Sequence, residues 1–443
     1  MDLEPDLQKD HRRKTAALAE AIQQARVRGQ RIGLRKSTSN LFRRRSQDGK
    51  YFIDVRAFDR VLAIDPQRMT ADVEGMITYE ALVDETLKYG LLPAVVPQLK
   101  TITVGGAVSG LGIESSSFKF GLVHESVEEM EILLGDGRLV TCSCRENADL
   151  FYGFPNSYGT LGYALRLTVR LIPAKPYVHL THTRFDDPES YFARVAERCT
   201  ESSANYIDGT IFSRHEMYLT EGEFADEAPA VSDYTYMDIY YRSIQRKSED
   251  WLTAKDYIWR WDTDWFWCSK HFYMQAPGVR RLFKWALNSR TYQRIMRLSY
   301  SILPDSGGTE SVIQDVDIPI HRAPEFFDFL FSEIGITPVW MCPFKTGDSR
   351  RVWDLSPLRP AQLYVNFGFW DVIPTTHEKG HYNRKIERKT MQLGGAKGLY
   401  SSAWYDEAEF WGIYDKPRYA QLKQTYDPQG VFPDLYSKCV RRW

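Results

Sequence analysis

The sequence lacks the features that would place it in a membrane or in a secretory pathway. It contains no run of 18 apolar residues, about the length that a transmembrane helix requires. Residues 1–30 are charged throughout, without the apolar core of a secretory signal. The six cysteines are scattered, and Cys142 and Cys144 have no second pair at zinc-site spacing. We therefore expect a cytoplasmic protein with reduced thiols and no bound metal.

No recognised nucleic-acid-binding motif accompanies the positive charge of the chain. Between Lys9 and Arg45, 12 Lys or Arg residues stand against two acids, although the net charge of the chain is −1. A second basic stretch, HEKGHYNRKIERK, covers residues 377–389. Each stretch is typical of a solvated face, and the alternative is attraction to an anionic membrane surface. We expect no nucleic-acid partner and leave peripheral attachment to the inner face of a membrane open.

The length of 443 residues exceeds what one hydrophobic core usually serves, so the sequence predicts two domains. Helical spacing of apolar residues predicts a helix over 12–29, and Asp136-Gly137 between apolar runs is a hairpin signal. From about residue 177 aromatic residues become frequent. We predict an α+β fold, with a first domain at 1–175, an aromatic-rich second domain at 176–400 and a segment at 401–443 that returns to the first domain.

The segment TITVGGAVSGLGIESSSFKFG, residues 101–121, has little side-chain bulk. Its central glycines are Gly105, Gly106, Gly110 and Gly112. Backbone amides and serine hydroxyls can approach a diphosphate closely in such a segment. The segment has neither the GKS or GKT of a P-loop nor a G-x-G-x-x-G that opens a helix after a first strand. Spacing alone leaves two interpretations, a phosphate site and a tight β-bulge region of structural purpose.

Six separated blocks resemble a known family. VGGAVSGLGIESSSFKFGL, preceded by PAVVPQL, resembles the flavin-binding signature of the vanillyl-alcohol-oxidase superfamily. The blocks GIESSSFKFG, ENADLFYGFPNSYGTLGYA, LIPAKPYV, PVWMCPF, LYVNFGFW and YDEAEFWGIYD are similar to the Δ24-sterol reductase family, the Diminuto and seladin type. They follow the order of that family from about Ile32 to Cys439. The resemblance implies a PCMH-type FAD-binding domain and a second, α+β cap domain for the substrate.

The resemblance also implies which residues hold FAD. Binding is expected to be non-covalent, because the first flavin turn reads STSN where covalent members of the superfamily place a His or Cys. The implied diphosphate contacts are Ser37, Thr38, Ser39, Asn40, Thr103, Gly105 and Gly106. The residues implied near the ribityl chain or the flavin are Gly110, Gly112, Ile113 and Ser117. A second glycine turn, implied near the adenine or pyrophosphate, consists of Gly159, Thr160, Leu161 and Gly162.

The activity that the resemblance implies is reduction of a carbon–carbon double bond, with NADPH as the reductant of the flavin. No nucleotide fingerprint for NADPH is visible in the sequence. The protein must also supply one proton, and the candidate acids are Glu114, Tyr405, Lys119, His124 and Tyr364. Each could equally be a core tyrosine or a paired surface group. Where related sugar-lactone oxidases read GTHGSS this chain reads GIESSS, so Glu114 replaces their imidazole and sugar-lactone chemistry is not expected.

The aromatic run from Tyr257 to Tyr273 either forms core or lines a large apolar pocket. Trp340, Tyr364 and Asn366 are expected on strands that wall the substrate side. We expect a lipid substrate and rank an unsaturated or methylene-branched fatty acyl chain ahead of a sterol side chain, since this chain departs from eukaryotic sterol reductases, which carry an N-terminal membrane helix. The alternatives are a flavin oxidase or dehydrogenase of an alcohol, a non-catalytic membrane-associated FAD-binding scaffold, and a protein without a cofactor.

Overall fold

Short helices and antiparallel sheets alternate along the chain in the computed structural model, which describes residues 5–43, 49–302, 308–347 and 352–441. Residues 44 and 45, the end of the first basic stretch, lie outside the described residues. Among the described helices, none combines the length and apolarity that a bilayer-spanning helix needs.

The first part of the chain forms two sheets. Strands β1 and β2 pair in parallel. The other six strands form an antiparallel sheet in the order β3-β4-β8-β6-β7, in which β5 pairs with residues 171–173 at the end of β8. The elements are α1 (Pro5–Val27), β1 (Arg31–Arg35), β2 (Lys50–Asp54), β3 (Val61–Asp65), β4 (Thr70–Glu74), α2 (Tyr79–Thr86), β5 (Leu91–Pro93), α3 (Val104–Ser109), α4 (Ser117–Phe120), β6 (Val127–Leu133), β7 (Leu139–Ser143), α5 (Ala148–Gly153) and β8 (Tyr163–Pro173).

The second part of the chain is built on one antiparallel sheet of eight strands, in the order β12-β9-β11-β10-β14-β15-β13-β16. Its elements are β9 (Tyr177–Phe185), α6 (Pro188–Glu201), β10 (Tyr206–Ser213), β11 (Glu216–Ala225), α7 (Tyr240–Ser243), β12 (Glu249–Thr253), α8 (Ala254–Ile258), α9 (Pro277–Leu282), α10 (Ser289–Ile302), β13 (Thr309–Pro319), α11 (Ala323–Phe329), β14 (Val339–Lys345), β15 (Leu363–Pro374), α12 (His381–Gln392) and β16 (Ala396–Lys397).

Three helices complete the chain: α13 (Glu407–Ile413), α14 (Lys416–Tyr426) and α15 (Leu435–Cys439). From α14, the hydroxyl of Tyr426 donates to Asp149 at 2.7 Å and Lys423 Nζ donates to the carbonyl oxygen of Thr160 at 2.8 Å. The C-terminal segment therefore contacts the part of the chain that contains the first sheet.

The predicted α+β character and the hairpin are confirmed. Strands β6 and β7 pair through Leu133 and Leu139, with Gly137 in the turn at a φ of +85°. Such a φ favours glycine because it lacks a Cβ atom. Helix α2 begins where Thr78 caps it, accepting a hydrogen bond from the amide of Ala81 at 3.3 Å.

The two basic stretches have different surroundings. In the first, Lys14 forms a salt bridge with Glu74 at 2.7 Å, while Lys36 and Arg43 line a cavity that is described below. On α12, within the second stretch, two of the lysines pair with carboxylates, Lys385 with Glu333 and Lys389 with Glu325. Helix α12 thus has the ion-paired face that its composition typically indicates.

Candidate functional site

Two adjoining cavities lie between the glycine segment and the second sheet. We call them the large cavity, of about 1430 Å³, and the small cavity, of about 440 Å³. Thr38, Ser39, Tyr158 and Ile313 belong to the lining of both. A ligand could therefore extend from one cavity to the other.

A cluster of cations lines the large cavity. Arg43 and Lys438 are in contact, since Nη1 of Arg43 donates to the carbonyl oxygen of Lys438. Arg43 is buried, and its Nε and Nη2 atoms have no partner among the described residues. Burial lowers the pKa of Lys438 well below its usual value, and the charges of Arg43 and Lys36 lower it further. Buried positive charge with unused donors favours an anionic ligand.

The STSN turn adds backbone donors beside these cations. The amides of Ser37 and Thr38 donate no hydrogen bond to another described residue. The turn is fixed to the segment before α3, because Thr38 Oγ1 donates to the carbonyl oxygen of Thr101 at 3.0 Å and Thr101 Oγ1 donates to Asn40 at 3.1 Å. A fixed turn with open amides suits a diphosphate.

The glycines of α3 have a packing role that the sequence did not indicate. The amides of Gly105 and Gly106 are already bonded, to the Gly75 carbonyl oxygen at 2.9 Å and to Thr103 Oγ1 at 3.3 Å. A Cβ atom at Gly105 would lie 2.7 Å from the Gly75 oxygen, and one at Gly106 would lie 2.7 Å from Thr103 Oγ1. Gly105 lets α3 pack closely against the residues after β4, and Gly106 leaves room for the capping side chain of Thr103. The amides of both glycines are therefore not open donors in this structure.

The second glycine turn also borders the large cavity. Gly159 and Gly162 line it, with φ angles of +73° and +153°. A Cβ atom at Gly162 would lie 2.6 Å from Ile132 Cγ2. Together with the cations and the open amides, this small-residue wall fits FAD. Arg43, Lys36, Lys438 and the STSN turn would hold its diphosphate.

The small cavity has aromatic walls. The aromatic residues that line it are Phe42, Tyr158, Trp265, Phe266, Phe272, Trp340, Trp370 and Tyr400. Trp265 and Phe266 occupy consecutive left-handed conformations, with φ angles of +46° and +61°, which are uncommon for bulky residues. The aromatic run predicted from the sequence therefore divides between cavity wall and core, since Trp261 and Trp267 are buried elsewhere in it.

Two carboxyl groups on β13 face the small cavity. Burial raises the pKa of Asp315 to about 7, although a hydrogen bond from Tyr400 and the charge of Lys397 oppose the change. Burial likewise raises the pKa of Asp317 to about 7, against a hydrogen bond from Asn366. Both acids line the cavity. Each can therefore hold a proton near neutral pH.

Hydrogen bonds hold Asp315 in place. Tyr400 Oη donates to Asp315 Oδ2 at 2.5 Å, and Trp370 Nε1 donates to Tyr400 Oη at 3.0 Å. Oδ1 of Asp315 has no partner among the described residues. The cross-strand neighbour is Gly368, whose missing Cβ would lie 2.6 Å from that atom. Glycine thus leaves room for the open oxygen.

Most of the residues predicted at the FAD site border the two cavities. Those in the lining are Thr38, Ser39, Asn40, Thr103, Gly105, Gly106, Gly110, Gly112, Ile113, Gly159 and Gly162. Those outside it are Ser37, Ser117 and Thr160. Of the predicted substrate residues, Trp340 and Asn366 line the small cavity and Tyr364 does not.

All five candidate acids lie outside both linings. Glu114 is buried and pairs with Arg260 at 3.2 Å, which also pairs with Asp208 at 2.7 Å. Burial raises the pKa of Glu114 to about 7, while Arg260 opposes the change. Tyr405 is buried, and burial raises its pKa well above the usual value. Lys119 is exposed.

The side chains of the two other candidate acids are buried or hydrogen-bonded. His124 is buried against Trp353, with ring centroids 4.5 Å apart, and burial lowers its pKa to about 3. Tyr364 Oη accepts a hydrogen bond from the amide of Arg359 at 3.0 Å. The sequence analysis missed Asp315 and Asp317. The available signal was two acids at alternate positions of an apolar strand, which places both on one face of the sheet.

Comparison with known protein families first identifies the kind of domain in the first part of the chain. Residues 12–143 match the family described as "FAD binding domain". The chain therefore has the predicted PCMH-type FAD-binding domain within an α+β fold, and it is a flavoprotein.

More particular relatives are Delta(24)-sterol reductases. The chain is 26% identical to the one of Homo sapiens over 340 residues, 70% of this chain and 62% of that protein. It is 26% identical to the one of Pisum sativum over 442 residues, 88% of this chain and 76% of that protein. Cytokinin dehydrogenase 4 of Oryza sativa subsp. japonica is 32% identical over 142 residues, 32% of this chain and 27% of that protein.

The resemblance to the Δ24-sterol reductase family that the six blocks predicted is thereby confirmed. The chain spans 62% of the length of the human relative.

Proposed function

We propose that this protein is an FAD-dependent oxidoreductase that reduces a carbon–carbon double bond of a hydrophobic lipid, with NADPH as the reductant. The observation that carries the proposal is the junction of the two cavities. A cationic cavity suited to FAD adjoins an aromatic cavity that contains two carboxyl groups, Asp315 and Asp317, with raised pKa values.

The reaction adds a hydride to one carbon of the double bond and a proton to the other. FAD, when bound and reduced, supplies the hydride. Asp315 supplies the proton from its carboxyl group, which lines the small cavity. After the transfer, the hydrogen bond from Tyr400 and the charge of Lys397 stabilise the carboxylate. Raised pKa values of this kind match a general acid to neutral pH.

Asp315 suits this role better than the acids predicted from the sequence. Glu114 is tied to Arg260 and does not reach either cavity. Tyr405 also lies outside both linings, and Lys119 is exposed. A group that protonates the substrate must lie within hydrogen-bonding reach of it. Asp317, two residues along the same strand face, is the alternative donor.

A sterol side chain is the favoured substrate, because both reductases named above are Delta(24)-sterol reductases. An aromatic cavity accepts an apolar substrate of this kind. The unsaturated or methylene-branched fatty acyl chain expected from the sequence has the same apolar chemistry. Turnover with each substrate class distinguishes them.

Anaerobic absorbance spectroscopy tests the proposal. The purified protein is expected to contain FAD that NADPH bleaches, and the flavin band is expected to return when a Δ24-unsaturated sterol is added. A matched saturated sterol should leave the flavin reduced. Return of the band with an unsaturated fatty acyl ester instead would select the fatty acyl alternative. A flavin that NADPH leaves oxidised would contradict the proposal and favour the scaffold alternative.

A second candidate function is dehydrogenation by a flavin enzyme. The similarity to a cytokinin dehydrogenase favours it, but that similarity covers 32% of this chain. A dehydrogenase of an alcohol, the alternative drawn from the sequence, is reduced by its substrate rather than by NADPH. Bleaching of the flavin by an alcohol in the absence of NADPH would therefore select this candidate.

A further inference from the structure

An exposed apolar and basic segment begins in the last turn of α9. Leu282 and Trp285 are each 75% exposed, and Phe283 between them is 39% exposed. Arg281 and Lys284 alternate with these residues and are exposed as well. We call residues 281–285 the docking segment. Tryptophan is highly buried on average, so this exposure calls for a physical explanation.

The docking segment is anchored to the wall of the small cavity. Arg280, immediately before it, is buried and binds Asp264 through two hydrogen bonds of 2.7 and 2.8 Å. Asp264 directly precedes Trp265 and Phe266, which line the small cavity. The segment therefore has a fixed position relative to the proposed substrate site.

The wall of the small cavity continues to the protein surface close to this anchor. Cys268, His271 and Phe272 line the cavity, and the next residue, Tyr273, is 78% exposed. The ring of Phe272 stacks on that of Tyr292 in α10, with centroids 5.5 Å apart. An apolar ligand at the surface near Tyr273 is therefore close to the cavity.

The composition of the docking segment identifies its partner. Tryptophan and tyrosine are enriched where proteins meet the bilayer interface, and Lys and Arg attract anionic lipid headgroups. Each such cation strengthens binding to an anionic surface by about fivefold. The basic residues of α12 are less suited to this contact, because Lys385 and Lys389 are already paired with carboxylates.

We propose that the docking segment binds an anionic lipid bilayer, with the side chains of Leu282 and Trp285 entering the interface and Arg281 and Lys284 contacting the headgroups. Bilayer binding itself does not depend on the reaction. A second part of the inference rests on the proposed function: docking places the mouth of the small cavity beside the bilayer, so that a lipid substrate enters past Phe272 and Tyr273.

Sedimentation with vesicles tests the docking. The FAD-loaded full chain is mixed with vesicles of equal parts phosphatidylcholine and phosphatidylserine, or of phosphatidylcholine alone. The wild type is expected to bind the mixed vesicles more strongly. The double variant Leu282→Glu/Trp285→Glu and the double variant Arg281→Glu/Lys284→Glu should each reduce binding to the mixed vesicles at least about tenfold. Val352→Glu, at a site that is 63% exposed, is the matched control and should bind as the wild type does.

Each other outcome overturns the docking. Absence of vesicle binding by the wild type, or equal binding by the wild type and both double variants, would remove the bilayer as the partner. A wild-type dimer in sedimentation velocity that Leu282→Glu/Trp285→Glu converts to a monomer would assign the segment to a second copy of the chain. Retained FAD and an unchanged thermal midpoint show that a variant is folded.

Turnover of detergent-dispersed sterol separates the two proposals. The docking variants should keep wild-type turnover with dispersed sterol and lose it with vesicle-embedded sterol. Loss of turnover with both the dispersed and the vesicle-embedded sterol would contradict substrate entry at this face. Absence of turnover by the wild type in either presentation would contradict the proposed function and would leave the vesicle-binding result intact.

Discussion

Asp315 is the side chain on which the proposed proton transfer depends. Asp315→Asn keeps the shape of the side chain and removes the acid. It is expected to slow reoxidation of the reduced flavin by substrate about 100-fold or more. Reduction of the flavin by NADPH should be unchanged, because that step needs no proton from this residue. Stopped-flow spectroscopy of the two half-reactions measures both rates.

The pH profile adds a second readout for Asp315. The acid must be protonated to donate, so the wild-type rate of reoxidation should fall as the pH rises through about 7. The variant should lack that dependence. Asp317→Asn is the matched control on the same strand face. A larger loss there than at Asp315 would assign the proton to Asp317 instead.

Arg43 carries a separate prediction about the cofactor. Arg43→Gln removes a buried cation whose Nε and Nη2 atoms have no described partner. A charge-assisted hydrogen bond contributes about 1.5–3 kcal/mol, so FAD affinity should fall about 10- to 100-fold. Fluorescence titration of the apoprotein with FAD gives the affinity. Arg56→Gln changes an exposed arginine that pairs with Asp54 and should leave it unaltered. Equal affinities of the Arg43 variant and the wild type would contradict the diphosphate position.

At this scale, most residues that the sequence proposes for the cofactor line the two cavities, whereas the acids it proposes do not. The STSN turn and the glycines stand in contiguous motifs, which a local pattern can reveal. Asp315 becomes a candidate acid only through its contacts with two distant residues. Tyr400, 85 residues away, donates a hydrogen bond to it, and Gly368 lies opposite it on the neighbouring strand. Contacts of this range, and the burial that raises a pKa, are tertiary properties. Glu114 was predicted from its neighbours in sequence, whereas its pairing with Arg260 spans 146 residues.

At the scale of elements, helix α1 is joined to the first sheet through His11. Its Nδ1 atom lies 2.8 Å from Glu74 and its Nε2 atom 3.3 Å from Glu131, and Lys14 also contacts Glu74. Burial alone would lower the pKa of His11, but the hydrogen bonds to Glu131 and Glu74 outweigh burial and raise it. The helix is therefore held by an interaction that is strongest when the imidazole is charged.

The consequence is a pH-dependent contribution to stability. Because the pKa of His11 is raised in the folded state, its interaction with the two glutamates stabilises the fold fully below the unfolded-state pKa of about 6.5. This stabilisation disappears as the pH rises through the folded-state pKa. The difference in unfolding free energy between the wild type and His11→Gln should therefore be largest in acid and shrink in alkali. Denaturant titrations across this range measure it. His215→Gln, at an exposed histidine, should show little of this trend, and a pH-independent difference at His11 would contradict the assignment.

The sequence predicts elements well where the signal is local. The β6–β7 hairpin follows from Asp136-Gly137, because tight turns require particular residues. The function of the α3 glycines was less accessible. The need of Gly105 to approach Gly75 comes from packing of α3 beside a strand of the first sheet, which a linear pattern does not contain.

At the scale of the whole molecule, Arg260 joins the two parts of the chain. It binds Glu114 from the glycine segment and Asp208 from β10, and all three side chains are buried. Removing one member of a buried ion network leaves the others unpaired at a cost of about 3–5 kcal/mol. Arg260→Leu should lower the free energy of unfolding by about that amount.

The deficit of Arg260→Leu should decrease as the pH falls toward about 7 and change little below it, because Glu114 without the opposing charge of Arg260 becomes protonated at a higher pH in the variant than in the wild type. Thermal and denaturant unfolding at several pH values measure the effect. Arg242→Leu, at an exposed arginine that donates to Gln275, is the control and should change stability little. A loss at Arg260 no greater than the loss at Arg242 would show that the network does not hold the two parts together.

Thr38, Ser39 and Tyr158 line both cavities, so ligands in the two cavities would contact the same residues. If one ligand orders these residues, the other meets them already ordered, and the gain in affinity is reciprocal. A lipid in the small cavity then tightens flavin binding by the same factor by which flavin tightens lipid binding. The amount of FAD retained during purification consequently reports lipid occupancy. A preparation from which the lipid has been removed is expected to retain less FAD than one that keeps its lipid.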